Sequence, residues 1–150
     1  MSASSSTFAA RPQLTSASRE ATGPVVLLGR LSFVLIFLMS GPRHFMGQTI
    51  AYAASRGVPL AFLAVPFSGL LALAGGLSIL LGYRARIGAW LIVLFLVGVT
   101  PMMHNFWTVT DPMMYQMQMV MFMKNVSMLG GALVISQLGS GPWSLDSRRK

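Results

Sequence analysis

The sequence predicts an all-α integral membrane protein, a bundle of four transmembrane helices. Of its 150 residues, 54% are hydrophobic and only 9% are charged, whereas a soluble domain carries about 25% charged residues. The apolar residues fall into four long runs that are separated by short segments containing Arg, Pro or Asp. A water-facing surface cannot accommodate this much apolar area, so the excess is expected to face lipid.

The chain divides into a tail, a membrane domain and a second short tail. Residues 1–24 are rich in Ser, Thr and Ala, a composition that buries little and favours disorder. A Ser- and Arg-rich, acid-poor segment is also typical of a targeting peptide, and this alternative stays open. The membrane domain is predicted over residues 25–143, and residues 144–150 form a basic C-terminal tail.

The first span poses a length problem. Arg30 and Arg43 bracket an uncharged stretch that is too short to cross a hydrocarbon core about 30 Å thick at about 1.5 Å per residue. The helix must therefore include one of these arginines, and Arg30 can extend its guanidinium toward the N-terminal interface. Residues 43–57 are mixed in polarity and are predicted to form an interfacial connection with a short helix.

The other three spans follow from the remaining apolar runs. They are predicted over residues 58–82, 87–103 and 113–138. A Gly-Ser-Gly-Pro sequence stops the last one, and Trp143 then stands where an interfacial aromatic anchor is expected.

Small residues predict which helices meet. Gly76 in the second span and Gly131 in the fourth each belong to a small-xxx-small pair, a pattern that lets membrane helices approach closely. The sequence therefore predicts contact between the second and fourth spans. Lys124 lies on the same helix face as Gly131 and is expected to point into the bundle, because a lysine facing lipid is costly.

The basic residues predict the orientation. Four spans put both termini on one side, and that side carries eight of the eleven basic residues: Arg11, Arg19, Arg30, Arg84, Arg86, Arg148, Arg149 and Lys150. The positive-inside rule then predicts a protein of the cytoplasmic membrane with both termini in the cytoplasm. The net charge of +8 is explained by these topology signals, so no nucleic-acid partner is expected.

Polar side chains at membrane depth are the candidates for function. The predicted ligand-binding residues are His104, Asn105, Trp107, Lys124 and Asn125, near the outer surface, together with Arg30. Such donors suit a quinone carbonyl or an anionic group. The alternative is structural: Lys124 and Asn125 would hold backbone carbonyls freed where helices end. The sequence assigns no catalytic residue.

Methionines crowd the fourth span. Seven of the twelve methionines lie between Met113 and Met128. Thioethers suit Cu(I), but methionine is also a flexible packing residue, and packing is the favoured interpretation. With no cysteine and two histidines, no metal site is predicted.

Several short motifs together resemble the DoxX family of small four-helix membrane proteins. The resemblance covers about residues 27–146 and rests on Leu28-Gly29-Arg30, Ser40-Gly41, residues 52–55, Gly57-Val58-Pro59, Gly75-Gly76, His104-Asn105-Phe106-Trp107, Phe122-Met123-Lys124-Asn125 and Leu129-Gly130-Gly131. One departure is Ala72, which stands where relatives often carry an acidic residue.

The resemblance implies a component of a quinone-linked redox or oxidative-stress membrane complex. No cofactor is assigned with certainty, and quinone is the candidate. Its partners would be the lipid bilayer and other membrane or membrane-associated subunits. Whether the chain is itself an enzyme stays open. The alternatives are a non-enzymatic assembly or scaffold subunit and a small transporter.

Overall fold

The computed structural model describes the backbone of residues 16–149 and the side chains of residues 21–148. This part of the chain contains five α-helices and no strand: α1 (Ser16–Ser40), α2 (Gly47–Ser55), α3 (Ala61–Leu81), α4 (Ala85–Met103) and α5 (Pro112–Leu138). Four of them, α1, α3, α4 and α5, are long and apolar enough to cross a membrane. The predicted all-α bundle with four spans is therefore confirmed.

The first helix is longer than expected. α1 begins at Ser16, upstream of the boundary predicted at residue 25, so residues 16–24 are helical rather than part of a tail. This stretch contains good helix formers such as Ala17, Arg19 and Ala21. An early start also answers the length problem, because Arg30 is included within the span. The rest of the predicted tail, residues 1–15, lies outside the described residues.

The connection between the first two spans folds back onto the bundle. A short 3-10 turn (Gly41–Phe45) leads into α2, so the predicted short helix is present. Ala53 of α2 is buried against Ala61 and Val65 at the start of α3. This contact makes the connection part of the membrane domain's packing.

The core is built by all four spanning helices. Its buried residues include Phe37 of α1, Ala72 of α3, Ile92 and Leu96 of α4 and Ala132 of α5. α3 lies between α1 and α4, while α4 also packs along α5.

The glycines of α3 bring it close to α4 rather than to α5. A Cβ atom built on Gly75 would stand 2.8 Å from the Gly88 carbonyl oxygen, and one on Gly88 would stand 2.9 Å from the Gly75 carbonyl oxygen. Gly76 faces Leu38 of α1, and Gly131 faces Phe33 of α1. The predicted contact between the second and fourth spans is therefore wrong, because small residues permit close packing without specifying which neighbour fills the groove.

The C-terminal segment, residues 140–146, packs on the bundle rather than extending as a tail from residue 144. The Leu145 and Asp146 amides donate to the carbonyls of Leu81 and Gly82 at 3.2 and 2.9 Å. The Asp146 carboxylate in turn accepts from the Arg84 and Ala85 amides at 3.0 and 3.3 Å. It thereby satisfies amides at the start of α4 that have no helical partner.

Both ends of the described chain meet at one end of the bundle, which we call the terminal end. Here Val26 of α1 lies beside Gly141, and Trp143 lies beside Gly23. The opposite end, formed by the α1–α3 and α4–α5 connections, is called the distal end.

Candidate functional site

Two polar pairs close the distal end. His104 Nδ1 lies 2.9 Å from Gln118 Oε1 of α5, and the Arg56 guanidinium donates to the Asn105 side-chain oxygen. The predicted site residues His104 and Asn105 thus connect the end of α4 to α5 and to the residue that follows α2. Both side chains act as ties between elements.

Lys124 does not point into the bundle, so that prediction is wrong. Its side chain is exposed, and its Nζ donates to Met121 Sδ at 3.2 Å. Asp111 is no partner for it, because this carboxylate caps α5 by accepting from the Met114 amide at 2.8 Å. α5 buries the adjacent side, which carries Asn125, and successive helical residues are about 100° apart. A lysine on the outer side can extend toward the interface.

Arg30 lies at the terminal end, far along the bundle from the other predicted site residues. It is 5% exposed, and its guanidinium donates to the Trp143 carbonyl. A Cβ atom on Gly82 would collide with this guanidinium. Arg30 therefore joins α1 to the C-terminal segment and shares no pocket with His104.

Trp107 and Asn125 do share a cavity, of about 210 Å³, between α4 and α5. We call it the α4–α5 pocket. Thr100 and Phe122 also line it, and the Trp107 and Phe122 rings meet edge to face with centroids 5.8 Å apart. Of the six predicted site residues, these are the two that the structure brings together at one cavity.

The larger cavity, of about 290 Å³, was not expected from the sequence. This main pocket lies where α2, α3 and α4 meet, and the residues that line it are mostly apolar: His44, Thr49, Ala53, Val58, Ala64, Val65, Phe67, Ser68, Leu71, Leu94, Phe95, Gly98, Val99, Met102 and Met103.

His44 is held rigidly in the wall of the main pocket. Its Nδ1 lies 3.1 Å from the Ser40 carbonyl oxygen, which can only accept, so the neutral ring carries its proton on Nδ1. The ring meets Phe95 edge to face with centroids 5.7 Å apart, and Gly69 leaves room for its Cβ. Nε2 is then the ring atom that can accept a hydrogen bond from a ligand.

Sequence reasoning did not predict that His44 lies in a pocket. The sequence feature that could have identified it is a histidine shortly after an apolar span. α2 folds back so that Thr49 and Ala53 line one side of the pocket together with Val58 of the following loop. That arrangement depends on contacts between distant segments.

The fold defines a class: a multi-pass membrane protein of four spanning helices, here with cavities on two sides of α4. The chain belongs to the SURF4 family, whose model matches residues 1–150. It is 34% identical to Inner membrane protein YphA of Escherichia coli over 85% of this chain and 93% of that protein. Inner membrane protein YqjF of the same organism is 30% identical over 81% of this chain and 88% of that protein.

The chain is also similar to a eukaryotic protein. ER-derived vesicles protein ERV29 of Saccharomyces cerevisiae is 26% identical over 96% of this chain, which spans 40% of that longer protein. No solved structure matches the chain.

Membership of the SURF4 family corrects the resemblance to DoxX. The predicted role in a quinone-linked redox or oxidative-stress complex rested on that resemblance, so this prediction is wrong as well. The motifs that suggested it, glycine pairs within spans and a polar sequence after the third span, follow from close helix packing and from helix ends. They are therefore compatible with more than one family of small four-helix membrane proteins.

Proposed function

We propose that this protein is a membrane-embedded binding protein whose main pocket takes one apolar chain of a lipid or lipid-like molecule. The observation that carries the proposal is the main pocket itself. Its volume of about 290 Å³ lies just below the range of drug-sized ligand sites, about 300–1,000 Å³. This volume suits part of a single apolar lipid chain better than a whole lipid.

The lining supports an apolar ligand that arrives from the bilayer. Phe67 of α3 and Leu94 of α4 line the pocket and are exposed on the outside of the bundle, where lipid would surround them. Lipid tails are as apolar as the lining, so binding would draw on close packing in a preformed cavity rather than on escape from water.

His44 supplies a polar end to the pocket. Its Nε2 suits a ligand that carries a hydroxyl or a protonated carboxyl group, because the neutral ring accepts there. A fatty acid in its neutral form, buried among apolar side chains, has this chemistry.

Binding of a membrane lipid suits the range of the relatives. YphA and YqjF are inner membrane proteins, and ERV29 is a protein of ER-derived vesicles. Acyl chains are common to all of these membranes, so one pocket chemistry would serve in each.

Filling the main pocket should abolish this binding without disturbing the fold. A Cβ atom on Gly98 meets nothing within 4 Å, and Gly98 lines the pocket. Gly98→Leu should therefore reduce the affinity for the fluorescent fatty acid cis-parinaric acid by about ten-fold or more, which corresponds to a loss of about 1.4 kcal/mol in binding free energy. Titration of the purified protein in detergent measures this.

Gly130→Leu is the matched control. Gly130 is also helical with open space at its Cβ position, but it lies on α5 outside the main pocket. The affinity of the Gly130→Leu variant for cis-parinaric acid should equal that of the unmodified protein. Equal binding by the two leucine variants would contradict the proposal.

The orientation with both termini in the cytoplasm is also part of the proposal. It is supported by Arg30, Arg84 and Arg86, which stand near the terminal end together with the C-terminal basic residues. A reporter enzyme that is active only in the periplasm, fused after Lys150 and expressed in Escherichia coli, should be inactive. The same reporter inserted in residues 108–111 should be active. The reverse pattern would contradict the orientation.

Partner membrane proteins are likewise proposed. The support is the outer side of α5, where Met113, Met117 and Met123 are exposed. Flexible methionines adapt to irregular contacts, so this side would suit another membrane helix.

A further inference from the structure

The α4–α5 pocket contains two buried polar side chains without a hydrogen-bond partner. Thr100 is 7% exposed and Asn125 is 6% exposed, and both line this cavity. Among the described residues neither side chain makes a hydrogen bond, to the other or to the backbone. Two facing helices thus each present an unsatisfied polar group to one space.

The position of these groups makes them costly. They lie on spanning helices, where no water replaces a missing hydrogen bond. Pro101 lines the same pocket and has no amide hydrogen, so it cannot donate to the Val97 carbonyl as a helical residue would. These unpaired groups indicate a ligand that supplies the missing hydrogen bonds.

The lining defines the chemistry of that ligand. No charged side chain lines the pocket, so an ionic headgroup would find no counter-charge. Thr100 and Asn125 can each donate and accept, which matches an alcohol. Phe122, Leu96 and Leu129 supply apolar walls, and Trp107 stands at the cavity with more than half of its surface exposed.

We propose that the α4–α5 pocket binds the hydroxyl end of a neutral, hydroxyl-bearing lipid, through Thr100 and Asn125. The site is separate from the main pocket, which uses Gly98, Val99 and Met102 of α4. The inference therefore does not depend on the proposed function.

The experiment compares two lipids that differ in one hydroxyl group. The full-length protein in detergent is titrated with dioleoylglycerol and with its 3-acetyl ester, and bound lipid is counted by native mass spectrometry. The unmodified protein should prefer the alcohol about ten-fold. Thr100→Val and Asn125→Leu keep the side-chain size and should each lower binding of the alcohol about five- to ten-fold, the range of one lost hydrogen bond. Ser127→Ala, on the exposed side of α5, should bind as the unmodified protein does.

A second measurement separates binding from structure. Without lipid, Thr100→Val and Asn125→Leu should leave the thermal unfolding temperature unchanged or raise it, because they remove groups that are unpaired in the fold. Equal binding of the two lipids by the unmodified protein would overturn the proposal. So would a clear drop in unfolding temperature for both variants without lipid, since the side chains would then be partners within the fold.

Discussion

Gly75→Leu should lower the free energy of unfolding by about 3 kcal/mol, the upper part of the range for overpacking a well-filled contact. A Cβ atom at this position would stand 2.8 Å from the Gly88 carbonyl oxygen and 2.9 Å from the Ile92 side chain. Because one of these neighbours is backbone, the clash is relieved only by moving α3 away from α4. That movement opens the contact on which the core is centred.

Unfolding by sodium dodecyl sulfate, followed by circular dichroism, measures the effect. Gly130→Leu is again the matched control, since it adds the same side chain to a spanning helix where nothing lies within 4 Å of the Cβ position. It should change the unfolding free energy by less than about 0.5 kcal/mol, as is usual for outward-facing substitutions. Similar losses in the two variants would show that α3 and α4 are not in close contact at Gly75.

Gly82→Ala should be nearly as damaging and should also release the C-terminal segment. Gly82 ends α3 with a φ of +63°, a conformation that costs a residue with a Cβ atom about 1–2 kcal/mol. Its Cβ atom would also collide with the Arg30 guanidinium and with Ser144. Overpacking adds about 1–3 kcal/mol, so we expect a total loss of about 3 kcal/mol.

Gly57→Ala separates the backbone cost of a positive φ from the cost of the collision. Gly57 has a φ of +81° but nothing within 4 Å of its Cβ position, so this variant has the backbone cost without the collision. Limited trypsin digestion followed by mass spectrometry measures the rate of cleavage after Arg148. Compared with the unmodified protein, this rate should be higher in Gly82→Ala and unchanged in Gly57→Ala. Equal digestion in both variants would contradict the packing of residues 140–146 against Gly82.

The choice of helix neighbours shows where sequence reasoning stops. The glycines that permit close packing can be recognised from the sequence, since Gly75, Gly76 and Gly131 all lie in contacts. Their partners cannot, because a groove lined by glycine accepts any helix of suitable shape. The prediction for Lys124 was wrong for a related reason. Lys124 and Gly131 share a helix face, but the side of α5 that is buried is the adjacent one, which carries Asn125.

The site shows the same division. Asn125 and Trp107 were recognised as polar or amphipathic groups at membrane depth, and they meet at one cavity. Arg30 and His104 have the same character but lie at opposite ends of the bundle, each joined to another element. Chemical type therefore identified the candidates, while their positions along different helices decided which of them act together.

The four spans, and hence the membrane location of the chain, were determined by the sequence alone, because hydropathy over about 20 residues is a local property. The need for the first span to include Arg30 or Arg43 was determined in the same way, by helix rise and bilayer thickness, and the structure shows that α1 includes Arg30. The main pocket was decided only by the tertiary structure. His44 becomes a pocket residue because α2 folds back toward α3 and α4. That folding depends on side-chain packing between segments that are distant in the sequence, and no local pattern contains it.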